Sequence, residues 1–393
     1  MGSVLLRKRD ERRAENGLRP HIQSIDDAIR EEAMRSESSL RAGDWVEVLS
    51  REEILRTLDA SGSLEKMPFM PEMLRYAGQR FRVSKRAHRT CDTIDYVGGR
   101  HLKRAVHLED LRCDGSAHGN CEARCLFFWK DAWVKKVDGP GSPGARFPSG
   151  DAGPPAEAVL VRGTRKAGEA ADASDPTYVC QATALLDATV PLRRSDLEPY
   201  LEDLSSRNVG FWQMLKALAF VPFSFLVGGR YGVSTPLIML YDWFQRLIDG
   251  TPYPERRGKV PNGVKTPSRR LDLKPGEMVR VRALPEILET VDEALRNRGL
   301  GWHAEMVRTT GRTFRVAARL EKIINEKTGK MIHFKNDVVI LEDGICLAQY
   351  INNCRRFCPR AVYHFFREIW LDRVPEPVTS SAHNEPVVAA QSD

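Results

Sequence analysis

The chain contains two copies of one segment, so whatever this segment folds into, it must fold into it twice. GDWVEV at 43–48 matches GEMVRV at 276–281, and EILRTLD at 53–59 matches EILETVD at 286–292. PEMLRYAGQRFRV at 71–83 matches AEMVRTTGRTFRV at 304–316, and HLEDLRC at 107–113 matches ILEDGIC at 340–346. The offset is 233 residues throughout, without a gap, and it carries Cys113, Cys121 and Cys125 onto Cys346, Cys354 and Cys358. Beyond the third cysteine the registers part by four residues, yet KDAWVKKV at 130–137 still resembles REIWLDRV at 367–374.

Each copy opens with G-[DE]-x-V-x-V, whose period of two predicts a strand. The EIL segment predicts a short helix, and Gly78 or Gly311 predicts a turn into a second strand. Short strands separated by turns suggest a small barrel. The aromatic segment after the third cysteine predicts a helix carrying a Trp, with Pro359 favourable in its first turn. Around the two modules, 42–137 and 261–375, lie four further segments: a charged, partly helical extension at 1–41, a Gly/Pro/Ser-rich flexible linker at 138–175, a helical middle segment at 176–260 and a disordered tail at 376–393. The fold class expected is therefore α+β.

Eight cysteines in a chain whose first residues lack a secretory signal point to the cytoplasm, where they read as metal or redox ligands more readily than as disulfides. A tetrahedral ion or a cubane cluster needs four soft ligands, and each copy supplies three. The count allows Cys91, Cys113, Cys121 and Cys125 in one site and Cys180, Cys346, Cys354 and Cys358 in the other. His118 is an alternative to Cys91, and a single centre shared by both triplets is a third arrangement. The expected cofactor is an iron–sulfur cluster or Zn, in one or two centres.

On Trp302, Glu305, Met306 and Gly311, with Phe69 in the Trp position of the first copy, each copy resembles an SH3-like barrel. That resemblance implies a binding scaffold. Through CDGSAHGNC at 113–121 and FCPR at 357–360 the chain also resembles a bacterial cysteine-rich family of biosynthetic gene neighbourhoods. This implies an enzyme or accessory protein in a biosynthetic pathway. No phosphate loop, dinucleotide fingerprint, nucleophile elbow or HExxH motif is present.

Two segments suggest partners. The net charge is +7, and Arg75, Arg80, Arg82, Lys85, Arg86 and Arg89 form a basic run suited to an anionic partner such as nucleic acid, if they are not simply a solvated face. Residues 209–228 form the most apolar stretch, either a buried helix pair or a hairpin for a membrane surface or partner protein.

Overall fold

The computed structural model describes residues 40–95, 98–140, 154–170, 172–193, 195–228, 234–248, 250–350 and 356–374. The expectations for 1–39, for the tail and for Cys354 lie outside the described residues. Contacts divide the chain into two compact units: Met1–Ser224 with Ile324–Met331 and Ile351–Ala361, and Phe225–Ile323 with Ile332–Tyr350 and Val362–Asp393.

The fold is α+β, with several small antiparallel sheets. In the first unit the main sheet comprises β1 (Trp45–Val48), β2 (Arg80–Arg86), β3 (Ala105–Leu108), β4 (Trp129–Lys130) and β5 (Val134–Val137), in the order β4-β3-β2-β1-β5. In the second it comprises β6 (Met278–Val281), β7 (Thr313–Ile324), β8 (Met331–Leu341), β9 (Phe366–Arg367) and β10 (Leu371–Arg373), in the order β9-β8-β7-β6-β10. The two copies thus have one topology. Neither five-stranded sheet closes on itself among the described residues.

The alternation seen in the sequence places equivalent residues in equivalent cores. Val46 and Val279, Val48 and Val281, Ile54 and Ile287, Met73 and Met306, Val83 and Val316, and Val106 and Val339 are each no more than 1% exposed. Burying a side chain of this size stabilises by about 1.5–3 kcal/mol. The short helix Arg51–Arg56 starts with a capping box between Ser50 and Glu53, which satisfies two otherwise orphaned donors. Gly78 (φ 73°) and Gly311 (φ 75°) make the predicted turns, in a left-handed conformation that costs glycine nothing.

Three expectations are corrected. No helix follows the third cysteine of either copy. The segment runs strand, 3-10 turn, strand: β4, Asp131–Trp133 and β5 in the first copy, and β9, Glu368–Trp370 and β10 in the second. Phe127, Phe128, Trp129 and Trp133 are all nearly fully buried, and so dense an aromatic run suits a pleated surface better than a one-faced helix. Second, Pro154–Gly163, inside the expected linker, is an α-helix that buries Leu160 to 2% in the first core. Third, the basic run is not one exposed surface: Arg75, Arg80 and Arg82 are exposed, whereas Arg86 and Arg89 are buried. Arg80 pairs with Glu47 at 2.9 Å and Arg86 with Asp131 at 2.7 Å, while Arg89 pairs with Asp203 and both are almost fully buried. Arg86 and Arg89 cannot face a polyanion from the interior.

The middle segment carries the helices Leu185–Ala188, Glu198–Ser205, Phe211–Gly228 and Ser234–Leu247. The apolar stretch is not a buried pair: Phe211 and Trp212 are 66% and 71% exposed, and Leu218 is 59% exposed. No helix among the described residues is long and apolar enough to cross a membrane.

Candidate metal centre

The first cysteine triplet sits on a loop between β3 and β4 that is pinched at its base. Arg112 bridges Leu126, the Cys113 N–H donates to the Cys125 carbonyl at 2.8 Å, and the Phe127 N–H donates to the Leu111 carbonyl at 3.1 Å. The pinch brings the first and last cysteines of C-x7-C-x3-C to one place. Asp114 accepts from the Ser116 N–H and hydroxyl at 3.0 and 2.7 Å, turning the chain at once after Cys113. Gly115 (φ 75°) completes the turn, and a Cβ there would meet the Cys121 carbonyl oxygen at 2.1 Å. The loop therefore needs glycine at that position.

Cys113, Cys121, Cys125 and Cys180 all line one cavity of about 40 Å³, together with His118 and Glu326. That is about three times the space one water requires. Cys180 thus joins the first triplet, against the pairing that assigned it to the second. It is anchored by its N–H donating to the Thr183 hydroxyl at 2.9 Å. Cys121 accepts from the Ile324 N–H at 3.3 Å.

Burial dominates the chemistry of these thiols. It pushes Cys125 up to about 12 and Cys180 up to about 11, and it raises Cys113 and Cys121 as well. Four thiols held neutral, Cys121 and Cys180 buried and Cys113 and Cys125 partly so, present soft donors that a cation can deprotonate by displacing their protons. The Arg360 guanidinium, buried to 4%, favours the Cys125 thiolate. These four sulfurs are a soft donor set, although no three of them lie within 4.8 Å of one another. His118 lies beside it: its Nε2 is 3.4 Å from the Cys113 sulfur and its Nδ1 is 3.5 Å from Glu72 Oε1. Burial lowers His118 to about 4, so the imidazole is neutral and its lone pair available. Glu72, Cys113 and His118 form a compact group of potential ligand atoms in their own right.

The other candidate ligands among the described residues are elsewhere. Cys91 lies at the end of the strand Arg89–Cys91, and its N–H donates to the Cys358 sulfur at 3.2 Å. Cys346 belongs to the second unit, where its N–H donates to the Val362 carbonyl at 2.8 Å. Sequence reasoning missed Glu72, Glu326 and Arg360 as site residues. Glu72 was visible as the acid of the repeated E-M pair, and Arg360 as the last residue of F-C-P-R.

No protein-family model matches the chain, and no curated protein matches it.

Proposed function

We propose that the protein is a thiolate-ligated metalloprotein whose centre is held by Cys113, Cys121, Cys125 and Cys180, serving as an enzyme or accessory protein of a bacterial biosynthetic pathway. The observation carrying this reading is the convergence on one cavity of four cysteines, one of them 55 residues beyond the others in sequence. Four thiolates suit an iron–sulfur cluster and Zn alike, and we put the cluster first. Such a cluster would supply electron transfer or substrate coordination. The protein's own residues would hold it, exclude water with Met70 and Phe127, and balance thiolate charge through Arg360. The surrounding sheets, in the order 4-3-2-1-5 in both copies, suit a tandem SH3-like scaffold. Anaerobic purification followed by iron, zinc and acid-labile sulfide quantification tests the reading. Iron with stoichiometric sulfide supports the cluster, zinc without sulfide replaces it with a structural ion, and a metal-free, active-fold protein refutes both.

A second reading, contact with a membrane surface, is favoured by a separate observation. Met239, Leu240, Trp243, Phe244, Leu247 and Ile248 follow an i, i+1, i+4, i+5 pattern, and each is more than half exposed. That is an apolar stripe along about three turns of helix, with Arg246 near its end, as in helices that lie in a bilayer interface. Co-sedimentation of the full chain with anionic vesicles, compared with a Trp243→Asp, Phe244→Asp variant, tests it. Equal binding of both removes this reading.

A further inference from the structure

Among the described residues, Glu72, Cys113 and His118 are the one set of three metal-binding side chains whose ligand atoms all lie within 4.8 Å of one another. The Cys113 thiol donates to Glu72 Oε1 at 3.4 Å, and its sulfur is 3.4 Å from His118 Nε2. Around a tetrahedral Zn(II), bonds of about 2.0–2.3 Å place such donors roughly 3.3–3.6 Å apart. Both separations therefore already have the size the ion needs. The side chains of Glu72 and His118 are 3% and 2% exposed. Glu72 Oε2 and His118 Nδ1 have no hydrogen-bond partner among the described residues. Buried polar atoms left in this way call for a partner, and a cation held between the three residues answers a carboxylate and an imidazole lone pair alike.

The local structure aims these groups at one another. Glu72 is presented by the 3-10 helix Pro71–Tyr76. Cys113 and His118 belong to the cysteine loop, where the His118 N–H donates to the Gly115 carbonyl at 3.0 Å. Arg75 of the same helix donates to Asp114 Oδ2 at 2.6 Å and fastens the helix to the loop. The second copy keeps only part of this. Glu305 and Cys346 stand at the positions of Glu72 and Cys113, but Leu347 replaces Asp114 and Ile351 replaces His118. There Glu305 accepts from the Tyr350 backbone N–H, so its carboxylate is engaged by the backbone where that of Glu72 meets a thiol.

We propose that Glu72, Cys113 and His118 bind a single Zn(II), in the first copy alone, as a tripod of oxygen, sulfur and nitrogen with an open fourth position. One carboxylate, one thiolate and one imidazole make a donor set of borderline softness, which suits that ion. On binding, the Cys113 thiol gives its proton to solvent, and the carboxylate and the imidazole bind through lone pairs, with no change of oxidation state. Three protein ligands leave a fourth position, and the cavity that Cys113 and His118 both line has space for a water or a small ligand there. The inference rests on the reading of the chain as a thiolate-ligated metalloprotein, but Cys121, Cys125 and Cys180 take no part in this site. Cys113 is common to both, since a thiolate sulfur has lone pairs for two ions.

The test is binding of cobalt(II), a coloured substitute for zinc, by the chelator-stripped, reduced full chain. Bound metal and the thiolate-to-cobalt absorption band are read together. His118→Ile, which installs the residue of the second copy, is expected to lose one equivalent relative to the wild type. His118→Cys is expected to keep it with a stronger thiolate band, which separates loss of a ligand from loss of the fold. A Cys121→Ser, Cys180→Ser variant is expected to keep one equivalent, with the band of a single thiolate per ion. Undiminished cobalt in His118→Ile overturns the proposal, as does the absence of cobalt from a folded Cys121→Ser, Cys180→Ser variant. If the wild type binds no more cobalt than that variant, the four-cysteine centre is refuted and this site stands.

Discussion

Thr93 and Glu326 occupy the same position in the two repeats, and they touch: the Thr93 hydroxyl donates to the Glu326 carboxylate. Arg360 ties the pair together, donating to Thr93 Oγ1 at 2.7 Å and to Glu326 Oε1 at 2.9 Å. The same guanidinium acts on Cys125 and on Cys358. One buried cation therefore serves a cysteine from each triplet, and it is held by a carboxylate that also lines the four-cysteine cavity.

Cys180 is the cysteine that makes the cavity lining more than a triplet. Cys180→Ala is expected to lose the same metal complement from the cavity as Cys125→Ala, read as iron, zinc and sulfide per chain after anaerobic purification. Metal content at the wild-type level in Cys180→Ala would sink the assignment.

Gly115 is strained by any side chain. Gly115→Ala places a Cβ in contact with the Cys121 backbone at a positive φ. The expected cost is roughly 2–4 kcal/mol, combining the left-handed backbone penalty with a steric clash. Urea unfolding measures it, and a midpoint within error of the wild type contradicts it.

His107 confers a pH dependence. Burial lowers it from 6.5 to about 4, with its Nδ1 2.9 Å from the Phe127 carbonyl and its Nε2 without a hydrogen-bond partner among the described residues. Between these values the unfolded chain binds more protons than the folded one, so stability falls as pH drops from 6.5 toward 4. The loss amounts to at most about 1.4 kcal/mol per pH unit. Above 6.5 the group contributes no slope. His107→Gln is expected to flatten the urea midpoint against pH in that window relative to the wild type, and parallel curves would show that His107 is not the source.

Asp203 holds Arg89 inside the protein. Removing it by Asp203→Ala leaves a buried guanidinium without its carboxylate, at an expected cost of about 3–5 kcal/mol. Circular dichroism melting reads the loss. A stable Asp203→Ala protein would mean that Arg89 finds a route to solvent.

Much of the fold was legible because the repeat samples each strand twice. Valines at 46, 48, 83 and 106 recur at 279, 281, 316 and 339, and alternation at both places leaves little doubt about which face is buried. The aromatic segments after the third cysteine were misread as helices because the period of LFFWKDAW is ambiguous over so few residues. Their burial on both sides, not their spacing, makes them strands. The cysteine types and triplets were legible, but their partnership was not. Cys91 and Cys180 differ in no local property that tells which triplet each will meet, since that is decided by long-range packing of segments such as Ile324–Met331.

The indole nitrogen of Trp133 donates to Thr57 Oγ1 at 3.0 Å, and that of Trp370 donates to Thr290 Oγ1 at 2.9 Å. The threonines keep the constant offset of the repeat, whereas the tryptophans are four residues out of step with it. A length change between the third cysteine and the Trp was therefore absorbed in the intervening loop without disturbing either hydrogen bond. Each Trp–Thr bond therefore fixes the register of its own sheet, and the segment between the third cysteine and the Trp can differ by four residues without moving either core.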